Sequence, residues 1–182
     1  MRKIIELKDL PAEKFPLIVL VDNRSGTFLS SRIKSHSKGN YNHIACFISP
    51  TEIASQDPQG YRKVDAKKYF VEENFLKFWR VKTSKQREWQ MLIESELGKP
   101  GIYSGYDFLG IAGQFLYSII KVPWFKKINN PIKKYCSERE SIHLRYLFGF
   151  DLPAKPSPSD LNRAFHDIPQ LEVAGYWFDE EA

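Results

Sequence analysis

Apolar side chains fall in two rhythms along the chain, and the rhythm changes near Ser84. Before that point they sit in short runs closed by turn residues. FPLIVLVDN (Phe15 to Asn23) is a buried strand by this criterion, because a short unbroken apolar run suits a strand covered on both faces. In SGTFLSSRIKSHSKGN, the spacing of Phe28, Leu29 and Ile33 allows one or two helical turns, closed by Gly39 and Asn40. YNHIACFIS reads as a strand ended by Pro50, and TEIASQ as a second strand turned by DPQG. YRKVDAKKYF starts extended and turns helical after Asp65, a good N-cap. NFLKFWRVK (Asn74 to Lys82) is a further strand.

After Ser84 the period lengthens to that of a helix. SKQREWQMLIESELG puts Trp89, Leu92, Ile93 and Leu97 on one face, with Gly98 as the stop. GYDFLGIAGQFLYSIIK is a helix apolar on most sides, and PWFKKINNPIKK is a basic, proline-broken loop. YCSERESIHLRYLFG is another helix, with Leu144, Leu147 and Phe148 as its expected buried stripe. PAKPSPSDLNRAF holds a loop and a short helix capped at Ser157 or Ser159, and LEVAGYWF closes as a strand. The sum is an α+β fold, a small antiparallel sheet packed against helices. With 182 residues the chain reads as a single domain over 1–182.

Composition narrows the classes. Hydrophobic residues at 42% and aromatics at 14% describe a folded chain and exclude a disordered one. The net charge of +5 suits an anionic partner, but the charges are dispersed. No RNA-binding signature, helix-turn-helix or zinc spacing accompanies them, so nucleic acid is not expected as a partner. There is no HExxH, no paired Cys/His spacing and no glycine-rich phosphate loop, and no metal or cofactor is expected. No apolar run approaches the length of a membrane span. MRKIIELKDLPAEKF lacks a long apolar stretch with a cleavage site, so the expected compartment is cytoplasmic, with a phage-encoded or lysis-released protein compatible.

Candidate chemistry gathers on few residues. Cys136 opens a helix just after Lys133 and Lys134. The first helical turn offers free N–H groups and a positive dipole end, and cations add to them, so a thiolate is favoured there over a thiol. A thiolate is the nucleophile of acyl transfer, and the same N–H groups suit an oxyanion. Among the histidines, His43 opens a strand, a rigid support for a base. His143 lies on the helix of Cys136, about 10 Å up its axis at about 1.5 Å per residue, too far for direct proton transfer. His36 and His166 fall in polar stretches and read as surface residues. Cys46 has the opposite strand parity to His43 and reads as core filling. Cys46 and Cys136 are too few for a disulfide framework, and both read as reduced.

Taken in order, IVLVDN, SSRIKSHSKGNYNHIACFIS, GYDFLGIAG, YCSERES and SPSDL resemble the circularly permuted branch of the NlpC-like, papain-fold cysteine peptidases and amidases. That branch includes lecithin–retinol acyltransferase-like enzymes. In it the His strand precedes the Cys helix, as His43 precedes Cys136. The resemblance implies a papain-like fold, Cys136 as nucleophile and His43 as base. It also implies a polar third residue on the strand after the His strand, to orient the imidazole. A Glu commonly stands there. This chain offers Glu52, Ser55 and Gln56, and Gln56 is preferred because its amide can accept the imidazole N–H. Glu138, in the CSE triplet, is assigned to helix stabilisation.

The expected activity is thiol-dependent hydrolysis of amide or ester bonds. The implied substrates are peptide amides of the bacterial or phage-degraded cell wall (peptidoglycan). A lipid amide or ester hydrolase or acyltransferase is an alternative, and a non-catalytic binding module on the same fold is another.

Overall fold

The computed structural model describes residues 14–24, 39–57, 59–98 and 136–178. The helical turns expected around Phe28 to Ile33, the apolar helix of GYDFLGIAGQFLYSIIK, the basic loop PWFKKINNPIKK and His36 lie outside the described residues.

Six strands form one antiparallel sheet: β1 (Leu17–Asn23), β2 (His43–Phe47), β3 (Glu52–Asp57), β4 (Gly60–Asp65), β5 (Asn74–Val81) and β6 (Leu171–Trp177). Their order across the sheet is β4-β3-β2-β1-β5-β6. Strands β1 to β4 follow one another as neighbours. β5 then returns to the far side of β1, and the helices intervene before β6 closes the second edge. The described helices are α1 (Gln86–Glu96), α2 (Cys136–Phe148) and α3 (Pro158–His166). The described residues thus form an α+β arrangement. None of their helices is long and apolar enough to cross a membrane.

The unbroken apolar run of β1 follows from its central place. Ile18 and Leu20 face one core, with Ile44, Cys46, Trp79 and the helix residues Trp89, Ile93, Leu144, Leu161 and Phe165. Leu17, Val19 and Val21 face the other, with Ala45, Phe47, Ile53, Leu76 and Phe78. A strand buried on both sides has no position for a polar residue until it ends at Asp22 and Asn23.

Local chemistry accounts for the helix ends. Ser157 is the cap of α3: its Oγ accepts from the Asp160 N–H, and the Asp160 carboxylate accepts from the Ser157 N–H. Asp65 accepts from Lys67 N as expected, but the helix it starts is a single 3-10 turn, Ala66–Lys68. α1 buries Trp89 and Ile93, while Leu92 and Leu97 are half-buried. Gly98 follows α1 at φ +69°, a conformation that favours glycine.

α2 departs from its expected stripe. Leu144 is buried, but Leu147 and Phe148 are only partly so. The residues it buries instead include Ser137, Glu138, Arg139, Glu140, Ser141 and His143. The reason is position: α2 packs on β2 and β3 and also touches α1 and α3, so most of its circumference is covered. Polar groups at such sites persist only where partners meet them. Ser137 Oγ donates to the Pro156 carbonyl at 2.6 Å, and Ser141 Oγ donates to the Glu138 carbonyl at 2.9 Å. Arg139 Nη1 donates to Glu96 Oε2 at 2.6 Å, and His143 Nε2 meets the same oxygen at 2.6 Å. The Arg139 guanidinium also lies over the Tyr61 ring, 4.7 Å from its centroid.

Candidate active site

The segment that presents His43 is fixed at several points. Asn42 Oδ1 accepts from Asn23 N at 3.3 Å, and Asn23 Nδ2 donates to Asn74 Oδ1 at 2.8 Å. Asn74 Nδ2 then donates to the Tyr69 carbonyl at 2.8 Å. These asparagines stitch the ends of β1, β2 and β5 together and tie Tyr69 to them. On the other side, Ser159 of the SPSDL segment clamps the chain entering β2. Its Oγ accepts from Tyr41 N at 3.2 Å and donates to the Tyr41 carbonyl at 3.3 Å. The fit is close: a Cβ on Gly39 would stand 2.3 Å from Ser159 Oγ, which explains a glycine in SKGNY.

Pairing between β2 and β3 is confined to Cys46↔Ala54 and Phe47↔Ile53, and stops short of His43. His43 sits where the strands part and is half-buried. Its Nε2 lies 3.0 Å from Ser55 Oγ and 3.0 Å from Tyr69 Oη. Tyr69 Oη donates to Ser55 Oγ at 2.9 Å, which closes a triangle. Tyr69 packs with the core on one side of the sheet, whereas Cys136 belongs to the core on the other. His43 links the two, because Cys136 is near enough to its side chain to raise the imidazole pKa. Cys136 is the first described residue of α2 and is 3% exposed.

Electrostatics favour a charged imidazole. Burial pulls the His43 pKa down, yet the charge of Cys136 and its hydrogen bond outweigh that, helped by Asp57 and Glu140. The net direction is upward from the ordinary value of about 6.5. Interaction between two titrating sites is reciprocal, so an imidazolium favours the thiolate as much as the thiolate favours the imidazolium. Burial pushes the Tyr69 phenol up, so it stays a neutral hydroxyl and a donor. Glu140, one helical turn beyond Cys136, has its carboxyl raised by burial, against the opposing pull of His143 and Arg139.

A folded-state value above the unfolded one means that the imidazolium contributes stability at pH below about 6.5. That contribution is lost as pH rises through the folded value. Cys136→Ala removes the main influence holding the value up and leaves burial in place. The His43 midpoint, followed through its ring protons by NMR, is therefore expected to fall in this variant. A midpoint unmoved by the substitution would put the two groups out of contact.

Of the sequence candidates, the structure brings together His43, Cys136 and Ser55. Gln56, the preferred third residue, points to the opposite face of the sheet from His43 and Ser55. It pairs with Tyr61, next to Ala54 and Cys46 in parity, on the face covered by α2, and is 1% exposed. Glu52 instead lies at 3.3 Å from Lys63 Nζ on the exposed flank of the hairpin. Cys46 is fully buried in the core, and neither cysteine forms a disulfide. His143 is engaged with Glu96, and His166 is exposed but meets Lys77 Nζ at 3.1 Å. Tyr69 was not legible beforehand: DAKKYF carries no pattern that points its last turn at a strand two elements away. Glu140 was hidden for another reason, since a lone Glu in a helix ordinarily marks a solvated face.

Among the described residues, no group of three His, Cys, Asp or Glu side chains could hold a metal ion. Set against known proteins, the chain matches no family model and no curated sequence.

Proposed function

We propose that the protein is a thiol-dependent acyl-transfer enzyme that cleaves amide or ester bonds, with Cys136 as nucleophile and His43 as base. The observation that carries this reading is the contact between these two side chains, brought from distant parts of the chain with the imidazole pKa raised. The papain-like resemblance supports it: a histidine-bearing strand of an antiparallel sheet meets the start of a helix packed on that sheet. In this mechanism the thiolate adds to the carbonyl carbon, forming an S–C bond. N–H groups of the first turn of α2 stabilise the oxyanion. Collapse breaks the C–N or C–O bond, and His43 gives its proton to the leaving group. Water, deprotonated by His43, then releases the acid and restores the thiol. Ser55 and Tyr69 take the orienting role that a carboxylate fills elsewhere. Being neutral, they hold the ring without adding charge, and the thiolate itself is left as the main counter-charge. Peptide amides of the cell wall are the substrate class the resemblance favours, and lipid amides or esters are the second.

Two observations favour the competing reading, a non-catalytic binding module: the sulfur is almost enclosed, and Nε2 meets hydroxyls where the family commonly has a carboxylate. A small activated ester separates the readings. After incubation with p-nitrophenyl acetate, the enzyme reading expects one acetyl group on Cys136, seen by peptide mass spectrometry, and none on Cys46. Absence of both an adduct on Cys136 and p-nitrophenolate release that depends on Cys136, with the chain folded, supports the binding module.

A further inference from the structure

Lys77 sits in the middle of β5 and is 5% exposed. Its ammonium has no carboxylate partner among the described residues. Nζ donates to Asn162 Oδ1 at 3.0 Å, meets His166 Nε2 at 3.1 Å and stands 4.6 Å from the Trp79 ring centroid. An ammonium has three N–H donors, and these neutral acceptors use two. A buried cation ordinarily has an anion. Lys77 lines a polar recess of about 350 Å³, together with Arg24, Asp22, Tyr41, Phe75 and Tyr176. Arg24 is exposed at the rim.

We infer that this recess is a carboxylate-binding subsite in which Lys77 and Arg24 hold the carboxylate of a small acid or a peptide chain end. Lys77 supplies the third donor from the buried side, and Arg24 supplies a guanidinium from solvent. Tyr41 and Tyr176 give the walls amphipathic rings that suit an acyl or peptide group. Asp22, on the same wall, repels any anion, and a doubly charged phosphate more than a singly charged carboxylate. Burial pulls the Lys77 pKa down, and a bound carboxylate would raise it again, so binding offsets part of the cost of burying the ammonium. The recess lies at the His43 end of the sheet: His43 pairs with Val21, Val21 with Leu76, and Lys77 is next. Two strand spacings put the backbones of His43 and Lys77 about 10 Å apart, with Lys77 on the face of the sheet that carries α2 and Cys136. Use of the subsite to orient an acidic substrate at Cys136 rests on the proposed function; the binding itself does not.

The test uses the full chain and follows backbone amides of Asn40, Tyr41 and Tyr176 by NMR. N-acetylalanine is expected to shift them saturably, N-acetylalanine amide to leave them unmoved, and inorganic phosphate to bind more weakly than the acid. Lys77→Met keeps the stem over Trp79 and should weaken the acid about tenfold or more; Arg24→Gln, at the exposed rim, should weaken it severalfold with the fold untouched. Cys136→Ala should bind the acid as the wild type does, so failure of the thiol chemistry and failure of the subsite are told apart. Equal shifts with acid and amide, no saturation, or unchanged affinity in both recess variants would overturn the proposal. Tighter binding of phosphate would replace the carboxylate assignment.

Discussion

Replacing His43 with alanine is expected to slow alkylation of Cys136 at pH 7 about tenfold. A thiol at its ordinary pKa of about 8.5 is only about 3% thiolate at that pH. A thiolate stabilised by an imidazolium is mostly ionised, a gain of about thirtyfold in the reactive form, part of which is given back because a less basic thiolate is a poorer nucleophile. The measurement is the rate of iodoacetamide labelling at Cys136 across pH, resolved by peptide mass spectrometry. Cys46 provides an internal reference: it is fully buried, its thiol is pushed well up by burial, and it should stay unlabelled in the folded protein. Because Cys136 is 3% exposed, absolute rates will be modest, and the ratio between variants is the quantity to read. Equal rates with and without His43 would remove it as base.

Glu96→Ala is expected to destabilise the fold by about 3–5 kcal/mol in chemical denaturation. One carboxylate oxygen serves both Arg139 and His143, whose side chains are each 1% exposed, while Glu96 is 18% exposed. Removing it takes away the carboxylate paired with a buried guanidinium of α2. A second variant checks the cause: Glu96→Leu combined with Arg139→Met removes both charges of the buried pair and should recover much of the loss. Glu52→Gln breaks the pair with Lys63, whose side chains are about half exposed, and should cost under about 1 kcal/mol. If the two single variants cost the same, the buried network contributes nothing beyond a surface pair.

The Arg139 and His143 result also bears on what the sequence could reveal. Strands β1, β2, β3 and β5 were legible because runs this short, bounded by turn residues, are below the length of a helix. The caps at Asp65, Ser157 and Gly98 were legible because each depends on neighbours a few residues away. α2 was legible as a helix but not in its orientation. CSERESIHLRYLF has polar residues on every side, and only the surrounding elements decide which become buried.

The candidate site divides along the same line. Residue types alone singled out Cys136 and His43, since a thiol at a helix start and an imidazole on a strand each have a chemistry of their own. The third position was decided by register. Ser55 and Gln56 are adjacent, and a shift of one residue in strand pairing exchanges their faces. Cys46↔Ala54 sends Ser55 toward His43 and Gln56 under α2. Tyr69 enters through a turn held by Asn74, and Lys77 lost its solvent when α3 settled over β5. Short-range patterns therefore determined the elements and named the reactive groups. Packing between elements far apart in the chain determined which groups meet, which are shut away from water, and so which charges they carry.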